Sequence, residues 1–211
     1  MNINLFPYSL YLVISEADCM GKNFLEVAEQ AILGGVDIIQ LREKKDSTEV
    51  FLQKAIQLIE ITNKYGIPLI INDNITVAEK VHSAGIHVGN SDATPQDLRQ
   101  RPLIRNKMIG YSIEYLAQLN NEQTTVADYL GISPVFKTKT KTDTIAEWGL
   151  EGITQIRQLT EKPLVAIGNI HLDNARAVIN AGADCLAVVS AICSADDPQK
   201  AAYELKNEMI K

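Results

Sequence analysis

The sequence contains few cysteines and no apolar run long enough to cross a membrane. Among its 211 residues only Cys19, Cys185 and Cys193 are cysteines, and they include no C-x-x-C pair. An odd number of cysteines without such a pair argues against a disulfide framework or a zinc site and fits a reducing cytosol. The start of the chain lacks the cationic and apolar segments of a secretion signal, and no apolar run approaches the roughly 18–20 residues of a membrane span. These absences predict a cytoplasmic protein.

An excess of positive charge is also absent. The chain has 20 Lys and Arg residues against 26 Asp and Glu residues, which is a formal net charge of −6. A general nucleic-acid-binding protein needs a basic stripe, so we expect neither a nucleic-acid partner nor a membrane partner. Cations concentrated at a few positions could still bind small anions. Composition leaves the oligomeric state open, with a homo-oligomer as one possibility.

Short apolar runs alternate with amphipathic stretches along the chain. This alternation is typical of parallel β-α-β units. Eight such pairs in a chain of 211 residues that is 46% hydrophobic predict one domain, 1–211, with the α/β fold of a (β/α)8 TIM barrel. The predicted strands are Leu10–Ile14, Val36–Leu41, Pro68–Asn72, Gly85–Val88, Met108–Ser112, Tyr129–Ile132, Leu164–Ile167 and Cys185–Ser190. The predicted helices are Asn23–Leu33, Thr48–Tyr65, Ile75–Ala84, Thr94–Arg99, Ile113–Asn120, Leu150–Thr160, Leu172–Ala181 and Pro198–Ile210, with Ser47, Asp73 and Asp197 as N-cap candidates.

A doubly wound sheet is the structural alternative to the barrel. Many such sheets bind nucleotides through a G-x-G-x-x-G motif directly after the first strand. Here Ser15-Glu16-Ala17-Asp18 stands at that position instead. The barrel is therefore the favoured prediction.

The segment Gln40-Leu41-Arg42-Glu43-Lys44 directly follows a buried strand. Because side chains alternate along a strand, Gln40, Arg42 and Lys44 are predicted on one face, with Leu41 and Glu43 on the other. Burying two cations and an amide without partners would cost roughly several kcal/mol each. The first face therefore indicates an anion-binding site.

Polar residues also follow the other predicted strands. In a TIM barrel the carboxyl ends of all strands meet at one mouth, which carries the active site. The polar residues there are Asn72-Asp73, Asn90-Ser91-Asp92, Ser112, Lys137–Lys141, Gly168-Asn169 and Ser190. Asp73 and Asp92 suit Mg²⁺, which takes one or two carboxylates and fills its other positions with water and substrate phosphates. Each acid taken singly also fits an Asx turn or a helix cap.

Lysines and threonines alternate from Lys137 to Lys141, directly after the sixth predicted strand and its short apolar extension. Such a tract also fits a solvated charged loop, but its position at a strand end favours a binding role. Gly168-Asn169 and Ser190 occupy the usual phosphate pocket of such barrels. There, backbone N–H groups and a helix terminus hold a phosphate monoester.

The histidines and large aromatic residues give a weaker signal. None of His82, His87 and His171 pairs with a nearby cysteine or serine as a nucleophile system requires, so all three are interpreted as structural. Tyr129 and Trp148 are interpreted as packing residues.

Six motifs, taken in order, resemble the signatures of the thiamine-phosphate synthase family over nearly the whole chain. They are Ile39-Gln40-Leu41-Arg42-Glu43-Lys44, Ile70-Ile71-Asn72-Asp73, Gly85-Ile86-His87-Val88-Gly89-Asn90-Ser91-Asp92, Pro134-Val135-Phe136-Lys137-Thr138-Lys139-Thr140-Lys141, Ala166-Ile167-Gly168-Asn169-Ile170 and Val188-Val189-Ser190-Ala191-Ile192. The resemblance implies an enzyme that joins a hydroxymethylpyrimidine diphosphate to a thiazole phosphate. The products would be thiamine phosphate and pyrophosphate.

The resemblance also implies a role for each matching position. The expected catalytic residues are Arg42, Lys44, Ser112 and Lys141, and the expected Mg²⁺ ligands are Asp73 and Asp92. The expected substrate-binding residues are Gln40, Leu41, Arg42, Glu43, Lys44, Asn72, Ser112, Thr138, Lys139, Thr140, Lys141, Asn169, Val189 and Ser190. Among them, the contacts to the thiazole phosphate are expected from Thr138, Thr140, the backbone of Asn169, Val189 and Ser190.

The sequence departs from the family pattern at a few positions. Asn169, Asn90 and Ser133 stand where the family usually has glycine, glutamine and glycine, and Ile113-Glu114 replaces a small-residue-His pair. None of these changes removes an expected metal ligand or cation. Two alternative functions are a related thiazole tautomerase, which typically lacks the metal acids, and a non-catalytic phosphate-binding barrel.

Overall fold

Eight parallel strands close into a barrel in the computed structural model, which describes residues 6–137 and 147–210. The strands are β1 (Leu10–Ile14), β2 (Ile38–Leu41), β3 (Leu69–Asn72), β4 (Gly85–Val88), β5 (Met108–Ile113), β6 (Tyr129–Ile132), β7 (Leu164–Ile167) and β8 (Cys185–Val188). Each strand pairs with its neighbours in chain order, and β1 pairs with β8. The closed sheet confirms the predicted (β/α)8 barrel and rules out the doubly wound sheet, which has open edges.

Helices connect successive strands. They are α1 (Phe24–Leu33), α2 (Thr48–Tyr65), α3 (Ile75–Lys80), α4 (Pro95–Gln100), α5 (Glu122–Val126), α6 (Gly149–Leu159), α7 (Leu172–Asn180), α8 (Ser190–Cys193) and α9 (Pro198–Ile210), with 3₁₀ turns at Ala17–Cys19 and Leu116–Asn120. Within the described ranges, no helix has the length and apolar character needed to cross a membrane.

Side-chain caps set the start of several helices. Ser47 accepts the N–H of Val50 at 3.4 Å, and Asp197 accepts the N–H of Lys200 at 2.9 Å, so both predicted N-caps are confirmed. The prediction for Asp73 is wrong, because the neighbouring Asn74 caps α3 instead. The Asp73 carboxylate is therefore left for other partners.

Two predicted elements end earlier than the sequence pattern suggests. The predicted helix Ile75–Ala84 stops at Lys80, and His82 two residues later has a φ of 51°, which no α-helix accommodates. The predicted strand Cys185–Ser190 stops at Val188, because the backbone turns at Val189 and a short helix begins at Ser190. Val189 and Ser190 therefore lie in a strand-to-helix turn at the barrel mouth.

Strand alternation divides the apolar residues into two layers. Tyr11 and Val13 of β1 point into the barrel and pack with residues such as Ile70, Tyr129 and Val165. Their sequence neighbours Leu10, Leu12 and Ile14 point outward and pack against the helices. Each fully buried Leu or Ile stabilises the fold by roughly 1.5–3 kcal/mol relative to an exposed one. Both layers hold the strand ends in fixed positions around the mouth.

Three aspartates bind the strands together at the amino-terminal end of the barrel. Asp37, Asp128 and Asp184 each directly precede an even-numbered strand and accept a backbone N–H from the start of the strand before it. The N–H donors are Leu10, Ile109 and Leu164, at 2.9, 2.6 and 2.8 Å. Each aspartate is also paired with a cation, Lys206, Arg99 or Arg157. Stabilising contacts of the same kind thus recur around this end of the barrel.

Candidate active site

Two adjoining cavities open at the carboxyl ends of the strands. The first cavity is lined by Gln40, Arg42, Lys44, Asn72, Asp73, His87, Asp92 and Ser112, among others. The second cavity, of about 440 Å³, is lined by residues that include Asp18, Lys137, Gly168, Asn169, Val189 and Ser190. Arg42 and Ser133 line both cavities. The mouth therefore offers two neighbouring binding spaces.

The segment after β2 places alternate side chains on opposite sides, as its sequence predicts. Gln40, Arg42 and Lys44 line the first cavity. Leu41 is fully buried among the residues that face the helices, and Glu43 accepts the N–H of Glu16 at 2.9 Å behind the cavity wall. Strand alternation turns both side chains away from the cavity, so the prediction that Leu41 and Glu43 bind substrate gains no support from their side chains and stays a prediction.

The floor of the first cavity is a relay of five hydrogen-bonded side chains. Gln40 Nε2 donates to the hydroxyl of Tyr11 at 2.9 Å, and this hydroxyl lies 3.0 Å from that of Tyr129. His87 lies 3.1 Å from the Tyr129 hydroxyl through Nδ1 and 2.9 Å from Ser112 Oγ through Nε2. The five residues come from β2, β1, β6, β4 and β5.

The position of His87 corrects its interpretation as a purely structural residue. His87 lines the first cavity and contacts Ser112, an expected catalytic residue. The sequence contained a signal for this, because His87 lies between the apolar Ile86 and Val88, which alternation places on the opposite face. Tyr129 likewise combines packing in the barrel interior with a place in the relay.

A carboxylate pair lies on one side of the first cavity. Asp73 Oδ2 accepts hydrogen bonds from the ammonium of Lys44 and, at 2.6 Å, from the amide of Asn72. Asp92 Oδ2 accepts the N–H of Gly89 at 2.8 Å. Burial, together with the neighbouring Asp92 carboxylate, raises the pKa of Asp73 to about 6, although the hydrogen bond from Lys44 opposes the rise. The two acids are thus close enough to repel each other, an arrangement that a cation would relieve.

Among the described residues, no cluster of three or more His, Cys, Asp or Glu side chains could hold a metal ion. A structural zinc or calcium site, which needs more protein ligands, is therefore not formed by the part of the chain that the structure describes. Two carboxylates next to cationic side chains match the smaller protein contribution that Mg²⁺ requires.

The loop after β4 is held by residues that sequence reasoning missed. Asn90 Oδ1 accepts hydrogen bonds from the hydroxyl of Tyr111 at 2.7 Å and from the amide of Gln118 at 2.6 Å. Gln118 is buried and also accepts the N–H groups of Glu114 and Tyr115. No motif marks Gln118 in the sequence, because its partners come from two different loops. These bonds fix the loop that carries Asp92.

Backbone geometry shapes the second cavity. Gly168 has a φ of 122°, and a Cβ atom at that position would lie 2.7 Å from Pro134 Cβ, so only glycine fits. Asn169 follows in the left-handed region with a φ of 50°, which asparagine tolerates better than most residues. The asparagine that replaces the usual family glycine thus keeps a glycine-like backbone. Asp18 also lines this cavity and was not among the predicted site residues.

The lysine and threonine tract is only partly described. Lys137 is exposed and lines the second cavity. Thr138, Lys139, Thr140 and Lys141, all of them predicted site residues, lie outside the described residues. Their predicted roles stay predictions.

The fold and the mouth define a (β/α)8 barrel whose strands end, at their carboxyl ends, in a cavity lined by cationic, acidic and amide side chains. The sequence profile of a family described as thiamine monophosphate synthase matches residues 10–192. The thiamine-phosphate synthase of Albidiferax ferrireducens is 46% identical, with 97% of this chain and 93% of that protein covered. That of Chloroflexus aurantiacus is 42% identical, with 96% and 93% covered. The chain belongs to the thiamine-phosphate synthase family.

Solved structures agree with the sequence comparisons. The thiamine phosphate pyrophosphorylase from Pyrococcus furiosus superimposes with a TM-score of 0.86 at 31% identity, covering 97% of this chain and 96% of that one. A 3-hexulose-6-phosphate synthase, at 17% identity, superimposes with a TM-score of 0.68 over 95% of this chain and 99% of that one. The second likeness concerns the fold alone.

Proposed function

We propose that this protein is a thiamine-phosphate synthase, a transferase that joins a hydroxymethylpyrimidine diphosphate to a thiazole phosphate and releases pyrophosphate. The observation that carries the proposal is the convergence of Gln40, Arg42, Asn72, Asp73 and Ser112 on one cavity in a chain of this family. Amides and a hydroxyl suit a hydrogen-bonding ring, and a guanidinium suits a diphosphate. The proposed partners are therefore two phosphorylated small molecules. The cytoplasmic location and the homo-oligomeric state stay predictions.

Charge is the main chemical problem of this reaction. As the bond between carbon and the diphosphate breaks, negative charge grows on the leaving pyrophosphate, and Arg42 and Lys44 provide positive charge beside it. The remaining carbon resembles a benzylic cation stabilised by the aminopyrimidine ring, and the thiazole nitrogen attacks it directly. No protein nucleophile is needed, so the residues act by positioning and by neutralising charge. Ser112 and Lys141 belong to the same proposed catalytic set.

The carboxylate pair fits a magnesium ion. Asp73 and Asp92 would hold it, because their mutual repulsion, which contributes to the raised pKa of Asp73, favours a divalent cation between them. When bound, the ion supplies positive charge beside the leaving diphosphate. Lys44 forms an ion pair with Asp73. The proposal includes the exchange of this contact for one with the diphosphate.

The second cavity is assigned to the thiazole phosphate. This cavity is large enough for a small phosphorylated ring. Its lining includes Lys137, Asn169, Val189 and Ser190. Because Arg42 lines both cavities, the two substrates would bind next to each other. Thr138 and Thr140 are proposed to complete this site.

The proposal is tested by incubating the purified protein with both phosphorylated precursors and Mg²⁺. Thiamine phosphate and pyrophosphate are expected in equal amounts, and only when both precursors are present. Isomerisation of a thiazole phosphate without pyrophosphate release would instead identify a thiazole tautomerase. Binding of both precursors without turnover would identify a non-catalytic barrel.

A further inference from the structure

The relay on the floor of the first cavity links two expected substrate-binding residues through three residues with no assigned role. Gln40 and Ser112 are its ends, and Tyr11, Tyr129 and His87 lie between them. Gln40, Tyr11, Tyr129 and Ser112 are each less than a tenth exposed. Burying a polar group without a hydrogen-bond partner destabilises the folded protein. Each hydroxyl, amide and ring nitrogen of the relay is therefore expected to act either as a donor or as an acceptor toward its neighbour.

The donors and acceptors determine the direction of the relay. Gln40 Nε2 can only donate, so the Tyr11 hydroxyl accepts from it and donates to Tyr129. The Tyr129 hydroxyl then donates to Nδ1 of His87, which leaves the ring proton on Nε2 to be donated to Ser112. In the reverse direction the Tyr11 hydroxyl would accept from both Gln40 and Tyr129, and its own buried proton would have no acceptor within the relay. Burial raises the pKa of both phenols, so each keeps the proton that the relay needs.

We infer that Tyr11, Tyr129 and His87 are positioning residues that present Gln40 as an acceptor and Ser112 as a donor to the pyrimidine ring. With its amide nitrogen bound to Tyr11, Gln40 has its carbonyl oxygen left for the substrate. Because Ser112 accepts from His87, its own hydroxyl proton is left to donate. An aminopyrimidine offers the matching pair, an amino group that donates and a ring nitrogen that accepts. The identity of the ring rests on the proposed function, but the direction of the relay is a property of the protein alone.

Two strand glycines provide the space for the relay. A Cβ atom at Gly110 would lie 2.2 Å from Cζ of Tyr129 and 2.4 Å from Nδ1 of His87. A Cβ atom at Gly131 would lie 3.0 Å from Cε1 of His87. The rings of His87 and Tyr129 stack with centroids 5.5 Å apart. Glycine inside a strand often marks a close approach of this kind, so the backbone of β5 and β6 is adapted to the two rings.

The direction of the relay is tested by ¹⁵N NMR of the ligand-free protein labelled at histidine, with the His87 signals assigned by their loss in His87→Asn. At neutral pH, Nε2 is expected to carry the proton and Nδ1 to show the resonance of a hydrogen-bond acceptor. A proton on Nδ1, or on both nitrogens, would overturn the inference. No substrate is involved, so this result is independent of whether the proposed function holds.

The positioning role is tested with Tyr129→Phe, which removes the hydroxyl but keeps the ring. We expect the KM for the pyrimidine diphosphate to rise about tenfold, the KM for the thiazole phosphate to stay unchanged, and the Nδ1 resonance of His87 to move. The matched control Tyr203→Phe, at a tyrosine that is 62% exposed, should change none of these.

An unchanged KM for the pyrimidine diphosphate together with unchanged His87 resonances in Tyr129→Phe would overturn the positioning role. If Tyr129→Phe does not fold, Tyr11→Phe interrupts the relay nearer its other end and is measured in the same way. An unchanged KM for the pyrimidine diphosphate in Tyr11→Phe would then contradict the positioning role.

Discussion

The ammonium of Lys54 on α2 lies 3.0 Å from Oε1 of Glu43, behind the loop that carries the cavity cations. It also lies 2.8 Å from Glu16 and 2.7 Å from Asp46, so one lysine joins the loops after β1 and β2 to α2. Burial alone would lower the pKa of Lys54, but the three carboxylates reverse the effect and raise it. The loop that positions the cavity cations is thus held from its outer side.

Lys54→Met is expected to loosen this loop, because the apolar stem remains while three carboxylates lose their cation. We expect the free energy of unfolding to fall by about 2 kcal/mol and the KM for the pyrimidine diphosphate to rise. Urea unfolding and steady-state kinetics measure the two effects. Lys64→Met is the matched control, since its ion pair with Glu29 is exposed to solvent and should contribute less to stability than the three carboxylate contacts of Lys54. Equal losses in the two variants would contradict the anchoring role.

Arg42→Ala is expected to weaken binding of the diphosphate more than it affects the fold. Arg42 lines both cavities, and a charge-assisted hydrogen bond contributes about 1.5–3 kcal/mol, so the KM should rise roughly 10- to 100-fold. Steady-state kinetics and the urea midpoint are measured together. Arg101→Ala, at a partly exposed arginine paired with Glu79 at 3.5 Å, serves as control. A KM for the pyrimidine diphosphate equal to that of the unchanged enzyme would contradict a role of Arg42 in binding the diphosphate.

Asp92→Asn is expected to abolish Mg²⁺-dependent pyrophosphate release while leaving the fold intact. The amide keeps the shape of the side chain but removes one of the two charges that attract the ion. Without the Asp92 charge, the pKa of Asp73, which is about 6, should fall toward its usual range. Pyrophosphate release and Mn²⁺ binding by electron paramagnetic resonance are the measurements. Asp173→Asn is the control, because its side chain is 91% exposed. Full activity in Asp92→Asn would exclude the metal assignment.

Asp37→Asn is expected to destabilise the amino-terminal end of the barrel in a pH-dependent way. Burial alone would raise the pKa of Asp37, but hydrogen bonds from Lys206, Leu10 and Ser9 outweigh it and lower the pKa below 3.8. The charged form is therefore favoured in the folded protein, and its contribution is fully present above pH 3.8 and is lost as the pH falls through the folded-state pKa.

The measurement for Asp37 is the difference in unfolding free energy between Asp37→Asn and the unchanged protein across pH. This difference should be constant from about pH 7 to pH 5 and should shrink below about pH 4. Asp97→Asn, at a surface carboxylate in the first turn of α4 that accepts from the hydroxyl of Thr94 at 2.7 Å, is the control. A difference that grows on acidification would reverse the sign and contradict the assignment.

Features that depend on neighbouring residues could be predicted from the sequence. Period-two alternation placed Gln40, Arg42 and Lys44 toward the cavity and Leu41 away from it, because strand geometry is local. The positions of the strands followed from apolar runs in the same way. Several element ends were predicted wrongly, as at Asp73, His82 and Val189, where the backbone leaves regular geometry and the pattern carries no warning.

Features that depend on distant residues could not be predicted in this way. His87 was interpreted as structural because no partner stands near it in sequence, yet its relay partners Ser112 and Tyr129 are 25 and 42 positions away. Alternation gave a signal for His87, but Gln118 and Lys54 gave none, because their contacts join segments that are separate in the sequence.

The sequence by itself determined the barrel, the mouth and the residue types that meet there, because strand alternation and the order of motifs are properties of the chain. Only the tertiary structure decided that Gln40 and Ser112 are two ends of one relay, and that Lys54 holds the loop of Arg42 from behind. Closing the sheet brings together side chains from strands far apart in sequence, and the direction of their hydrogen bonds exists only after that closure.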